Sequence, residues 1–183
     1  MNAPFLIGTN IYLRAWERGD APAVVAWLND PEVTQTLAKH HPVNVSAEEA
    51  WIAAAYGSER DLPLAVVTKE SDRLIGGTGL HQIDFKDRHA NFGIFIGAKA
   101  EWGKGYAPEA TALMVRHAFE TLNLNRVWLK VYEYNRRSIR VYEKVGFRRE
   151  GVLRQDHFHE GHYWDSVIMA LLRDEWEAPP RGL

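Results

Sequence analysis

The chain has 183 residues, of which 46% are hydrophobic and 25% charged, ordinary globular values for one domain with a sizeable core. Its 22 Lys and Arg nearly balance 24 Asp and Glu, so no overall field directs it to nucleic acid or an anionic membrane. With no cysteine it has no disulfide, thiolate metal site or cysteine nucleophile; the opening Met1–Gly8 lacks the basic and apolar regions of a signal peptide, no run reaches membrane-span length, and a cytoplasmic location is expected.

Taken in chain order, Ile11, Leu13 and Ala15 alternate with polar neighbours and predict a first strand. Asp20-Ala21-Pro22 opens a helix carrying Val24, Val25, Trp27 and Leu28, which ends before Pro31. Ser46 with Glu49 three residues on has the form of a capping box for a second helix through Tyr56. Three strands follow at Leu64–Val67, Leu74–Leu80 and His89–Ile96, joined by short polar turns and therefore antiparallel. A helix from Pro108 to Leu122 separates Ile96 from Val127, the spacing of a parallel crossover. A helix over 136–145 and two long strands, about 150–158 and 162–172, complete a mixed α/β sheet; the tail from Ala178 to Leu183 is expected to fray.

The stretch Trp102-Gly103-Lys104-Gly105-Tyr106-Ala107-Pro108-Glu109 lies directly before the helix whose apolar face is Ala110, Leu113, Met114, His117 and Ala118. Glycines that let backbone N–H groups converge, followed by the unpaired amides of a helix N-terminus, make an anion cradle suited to phosphate or pyrophosphate. A glycine-rich turn that merely enters a helix is the bland alternative, but Pro108 and Glu109 in the first turn fit the functional reading. A P-loop is excluded, since Lys104 has neither the upstream glycine nor a following hydroxyl. A dinucleotide fingerprint is excluded because its last glycine would fall on Pro108.

Trp102-x-x-Gly105-x-Ala107 instead resembles the pyrophosphate loop of the GNAT acyl-CoA-dependent N-acetyltransferases. The resemblance continues in Asn91–Ile96, in Asn123–Val131, and in Asn135-x-x-Ser138-x-x-x-Tyr142-x-Lys144-x-Gly146-Phe147. Glu150-Gly151-x-Leu153-Arg154, the turn Glu160-Gly161 and Leu171-Leu172-x-x-Glu175-Trp176 are similar to the branch of RimJ/RimL ribosomal-protein N-terminal acetyltransferases and spermidine N-acetyltransferases. It covers roughly residues 10–176, within one domain spanning 1–183. It implies a mixed, mostly antiparallel sheet of about seven strands with a splayed parallel central pair and flanking helices.

The resemblance also implies roles. Backbone groups of Ile94, Phe95 and Ile96 would pair with pantetheine, and Trp102, Gly103, Lys104, Gly105, Tyr106 and Ala107 would form the pyrophosphate loop. Most of the phosphate affinity is assigned to backbone amides rather than to Lys104. Trp102 replaces the basic or amide residue of the general pattern and is kept as a loop member. Asn135 is an excellent N-cap and Ser138 lies in the first turn; by resemblance both also face CoA. Tyr142, one turn beyond Ser138, would be the general acid toward the departing thiolate. Many relatives carry a glutamate base where this chain has Asn91, which cannot take a proton. His81, Asp84, Glu133, Asp156, His157 and His159 are open alternatives; His157 and His159 share strand parity and equally fit a packing role.

These readings converge on an N-acetyltransferase that uses acetyl-CoA and no metal, and acetylates a primary amine by direct attack in a ternary complex. The acceptor is a protein N-terminus or a small amine such as a polyamine, and the chain is a monomer or homodimer. The first helical pair, the 81–90 turn and the final hairpin are expected on the acceptor side, with Trp27, Trp51 and Trp164 available to build a pocket. A non-catalytic acyl-CoA-binding regulator and a nucleotide-dependent enzyme are the competing readings.

Overall fold

The computed structural model describes residues 3–176; the tail expected to fray lies outside them. One sheet carries eight strands: β1 (Leu6–Ile7), β2 (Ile11–Arg14), β3 (Leu62–Thr68), β4 (Leu74–Asp84), β5 (His89–Ile96), β6 (Arg126–Tyr132), β7 (Arg148–His159) and β8 (His162–Leu172). Their order is β1-β2-β3-β4-β5-β6-β8-β7, and β5–β6 is the parallel pair among antiparallel neighbours. The strand beyond the expected seven is β1, whose two residues pair with Leu13 and Tyr12 and are too few to show a periodicity.

Among the described residues five α-helices accompany the sheet: α1 (Ala21–Leu28), α2 (Pro31–Thr34), α3 (Val45–Ala54), α4 (Tyr106–Arg116) and α5 (Arg136–Val145). Strand alternation divides them between two faces. Leu64 and Val66 join a large core with Leu80, Phe92, Leu129, Met114 of α4 and Ile139 of α5. Ala65, between them in β3, joins a smaller core with Trp16, Ala21, Val24 and Ile52 beneath α1 and α3. Among the described residues no helix is long and apolar enough to cross a membrane.

Both ends of α3 and of α4 differ from the sequence reading, α3 closing at Ala54 rather than Tyr56. The cap of α3 is Asn44 rather than Ser46: Asn44 is extended and its side chain accepts the Ala47 N–H at 2.8 Å. Helix α4 starts at Tyr106, two residues early, because Gly105 adopts the left-handed conformation that turns the chain into it. Its regular part ends at Arg116 and passes into a wider π-helical turn, His117–Thr121.

Long-range polar contacts fix the ends of this assembly. Glu109, in the first turn of α4, accepts hydrogen bonds from the Asn10 backbone N–H at 2.8 Å and its side-chain amide at 3.0 Å. The start of α4 is thereby tied to the β1–β2 turn. Arg14 donates to both carboxylate oxygens of Asp20, at 2.7 and 2.8 Å, with both side chains only 10% exposed. Asp20 also accepts the Glu17 N–H at 2.9 Å, so this pair bends the chain from β2 into α1. Removing one partner leaves a buried charge unpaired. We expect Asp20→Ala to lower unfolding free energy by about 3 kcal/mol in a denaturant titration.

Candidate active site

The site is built on a fork. Pairing of β5 with β6 runs through His89–Arg126, Ala90–Val127 and Asn91–Trp128 and then stops, although the strands continue to Ile96 and Tyr132. The Asn91 side-chain amide lies 3.5 Å from the Trp128 carbonyl, at the point of separation. On the other side of β5, Gly97 donates to Ile75 at 2.9 Å, beside the β4–β5 register. Antiparallel alternation then turns the backbone groups of Gly93 and Phe95 toward β4, and those of Ile94 and Ile96 toward the opening. Of the three residues expected to offer backbone to pantetheine, Ile94 and Ile96 therefore face the opening, and Phe95 is committed to the sheet.

A channel of about 880 Å³ follows the fork. It is lined by Asn91–Ile96 of β5, Trp128 and Lys130–Tyr132 of β6, Trp102 and Ala107 of the loop, and Asn135–Ser138, Val141 and Tyr142 around α5. At one end lies the glycine loop. Gly103 and Gly105 have φ of +82° and +88°, and a Cβ on either would meet nothing within 4 Å. Glycine is present there for backbone conformation and for access, not to avoid a neighbour. Lys104 is bonded to Glu101 at 2.9 Å, and Arg73 pairs with the same carboxylate, so its charge is already engaged.

Trp102 has a structural task that its residue type did not announce. Its indole N–H donates to the Ile96 carbonyl at 2.7 Å, and the Arg137 guanidinium lies 5.5 Å above its ring. The indole thus joins the end of β5, the loop and the first turn of α5. Arg136 and Arg137, which line the channel, were not singled out from sequence. The available signal was two consecutive arginines directly after a predicted N-cap.

Asn135 caps α5 by accepting the Ser138 N–H at 3.1 Å. Tyr142 is 7% exposed, lines the channel, and packs edge-on against Phe92 at 6.2 Å and beside Phe147 at 5.9 Å. Burial pushes its phenol up to about 12, so it stays protonated throughout the physiological range.

A second cavity, of about 480 Å³, lies under α1 and α3 and meets the channel at Leu37, Ala38, Gly93, Ile94 and Phe95. Its walls include Trp16, Val24, Leu28 and Trp51, with Glu48, Lys39, Thr78 and His81 as polar members. Gly77 lies beneath the Trp16 and Phe95 rings, where a Cβ would come within 2.5 Å of Trp16. Glu48 is 6% exposed, and burial raises its carboxyl above the ordinary range. The sequence reading missed it because its helical start was interpreted as capping chemistry. Trp16 was missed because it follows a strand without belonging to its alternation.

The candidate bases separate clearly. His81 alone of the six lines the second cavity, with its ring over the β4–β5 backbone. Asp84 closes the β4–β5 turn by accepting the Lys86 and Asp87 N–H groups at 2.9 and 2.8 Å. It also lies with Asp87 and His89 in a group whose ligand atoms fall within 4.8 Å, at the turn rather than the fork. Asp156 is held by Lys130 and Ser166, while the Glu133 N–H bonds the Asp165 carbonyl. His157 stacks on Tyr132 at 3.7 Å and His159 on Tyr134 at 5.2 Å, an aromatic column that Trp164 meets edge-on. Trp27 packs on Phe95. The second cavity is lined by α1, α3, the 37–39 segment and, from the 81–90 turn, His81, while Gln82 and the hairpin residues Leu153 and Ile168 line the channel.

Tyr142 and Tyr134 are both raised to about 12 by burial, against about 10 for an unfolded phenol. Between these values the unfolded chain binds fewer protons than the folded one, so stability falls as pH rises. Denaturant titrations at intervals between pH 9 and about 12 should show this alkaline loss, with a smaller slope in Tyr142→Phe.

The acetyltransferase (GNAT) domain family matches residues 10–148 of this chain. The uncharacterized N-acetyltransferase p20 of Bacillus licheniformis is 32% identical over 171 residues, covering 90% of this chain and 93% of that protein. The spermidine N(1)-acetyltransferase of Vibrio cholerae is 28% identical over 185 residues, covering 93% and 97% respectively. A crystal structure of the Vibrio cholerae spermidine N-acetyltransferase with CoA and spermine superposes with a TM-score of 0.83 at 27% identity, covering 92% of this chain and 98% of that one. The forked parallel pair, the glycine loop before α4 and the matched sequence agree: this chain is an N-acetyltransferase of the GNAT family.

Proposed function

We propose that the enzyme transfers acetyl from acetyl-CoA to the primary amine of a small molecule, by direct attack in a ternary complex. The observation carrying this reading is the meeting of two cavities at Gly93–Phe95, beside the fork and within reach of opposite faces of the sheet. The channel takes the acyl carrier: pyrophosphate on the amides after Gly103 and Gly105, flanked by Arg136 and Arg137, and pantetheine along Ile94 and Ile96. Asn135 and Ser138 border its path. The acceptor enters beneath α1 and α3. A compartment of about 480 Å³ walled by tryptophans suits a small amine better than an extended peptide, and the buried Glu48 carboxyl offers it a polar contact. The resemblance to a spermidine acetyltransferase makes polyamines the first candidates, and use of acetyl-CoA fits a cytoplasmic location.

Tyr142 stabilises the leaving sulfur. A phenol near 12 is a weaker acid than a thiol near 8.5, so it acts first as a hydrogen-bond donor to the developing thiolate. It gives up its proton as the surplus proton of the attacked nitrogen replaces it. Tyr142→Phe should lower kcat about 100-fold, with acetyl-CoA affinity nearly unchanged.

Thiol release from acetyl-CoA, measured across polyamines, aryl- and alkylamines and short N-terminal peptides, tests the whole proposal. Rapid release with a small amine supports it; preference for peptides would move the acceptor to protein N-termini. Binding without release across the panel would favour a non-catalytic acyl-CoA regulator. At the cradle, Gly105→Ala forces an L-residue into positive φ at about 1–2 kcal/mol. It should raise the acetyl-CoA Kd about tenfold in calorimetry while leaving the fold intact.

A further inference from the structure

A primary amine is mostly ammonium at neutral pH and must lose a proton before its lone pair can attack a thioester. Asn91, at the fork, has no group that can take it. Its direct cross-strand partner does: His81 is paired with Asn91 in the β4–β5 register, so both side chains leave the same face of the sheet.

The geometry around His81 is that of an oriented base. Its Nδ1 lies 3.3 Å from Asp61 Oδ1, and the same oxygen faces the Gln82 N–H at 3.3 Å. A carboxylate at Nδ1 favours the tautomer with hydrogen there, leaving Nε2 as the acceptor. Nε2 points along the sheet: it lies 2.8 Å from where a Cβ on Gly79 would stand and 3.9 Å from the corresponding point on Gly93. Gly93 is where channel and cavity join. Gly79 therefore leaves room for the ring to lie flat toward the junction. Immediately after His81 the β4–β5 register shifts, and Gln82 takes φ of +51°, an unusual value for a residue with a side chain. Such local strain persists where the surroundings hold it, here in the segment that aims the imidazole.

We infer that His81, oriented by Asp61, is the base that takes the proton from the incoming amine; this rests on the acetyl-transfer reading above. The ammonium gives one proton to Nε2. The freed lone pair forms the C–N bond to the thioester carbon, the C–S bond breaks, and its electrons leave on sulfur. Sulfur takes the Tyr142 proton, and the nitrogen's remaining surplus proton restores the phenol. The imidazolium discharges to solvent, so the products are amide, CoA thiol and one proton. Glu48, in α3, and Lys39, in the 37–39 segment, are the other ionisable side chains among the described lining residues of the acceptor cavity.

The test uses the full-length protein with the best amine from the panel. His81→Gln should reduce kcat about 100-fold and leave the calorimetric acetyl-CoA Kd unchanged, which also reports folding. Its residual rate should depend more steeply on pH than that of wild type, because only amine that is already free can attack. Asp61→Asn should give a smaller kcat loss, and Gly79→Ala should reproduce the His81→Gln defect by displacing the ring. Wild-type turnover with His81→Gln equally active would overturn the base assignment alone. A wild type that binds acetyl-CoA but acetylates no amine would overturn both the proposed function and the base.

Discussion

A β-ladder that stops while both its strands continue leaves amides and carbonyls without partners inside an otherwise hydrogen-bonded sheet. Such groups are costly unless something else bonds them. Here the interruption lies between β5 and β6, immediately after Asn91 and Trp128. The crossover through α4 makes this pair parallel, and β6 is held along its other edge by full antiparallel pairing with β8. Neither strand can move to close the opening without breaking its outer ladder. The fork thus turns backbone of Ile94 and Ile96 toward the channel, with the Ile96 carbonyl taken by Trp102; on the proposed reading the remaining groups meet the amides of the pantetheine arm.

The two faces of the sheet supply different chemistry to that fork. On the α4–α5 face, helix starts and arginines line the channel, and Tyr142 sits where burial keeps its proton in place. On the α1–α3 face, tryptophans and one carboxyl enclose a compact space. Small residues in the dividing strands keep the two spaces in contact. Gly93 is shared by both, and Gly77 and Gly79 let Trp16, Phe95 and His81 lie against the backbone. The Arg14–Asp20 pair contributes at a distance by fixing where α1 begins, and hence one wall of the second cavity.

Much of the frame was legible because it depends on local rules. Alternation located β3, β4 and β5, the span before Val127 required a crossover, and 136–145 matched α5 to the residue. The glycine loop was legible because its residues and the following helix form one chemical unit. The fork was not, since strands that diverge have the same side-chain pattern as strands that pair. Glu48 was obscured by a plausible capping box, whereas the actual cap lies two residues earlier than that reading placed it, at Asn44. His81 and the hairpin histidines were equivalent in sequence; only register and ring contacts separated a residue at the junction from two in an aromatic stack. Arg136 and Arg137 gained meaning only once α5 stood beside the loop.

The hydrogen bond from Trp102 to the Ile96 carbonyl turns the site into a ruler. It fastens the phosphate cradle to the end of the strand that borders the fork, so the two stations are a fixed span apart. On the reading proposed above, a ligand is then selected by length as well as by charge. A nucleotide alone can occupy the first station and leave the second empty. A carrier with a long arm reaches both, and its reactive end arrives where the two cavities meet. On the proposed reading the enzyme thus separates a long-armed acyl carrier from shorter phosphates by reach.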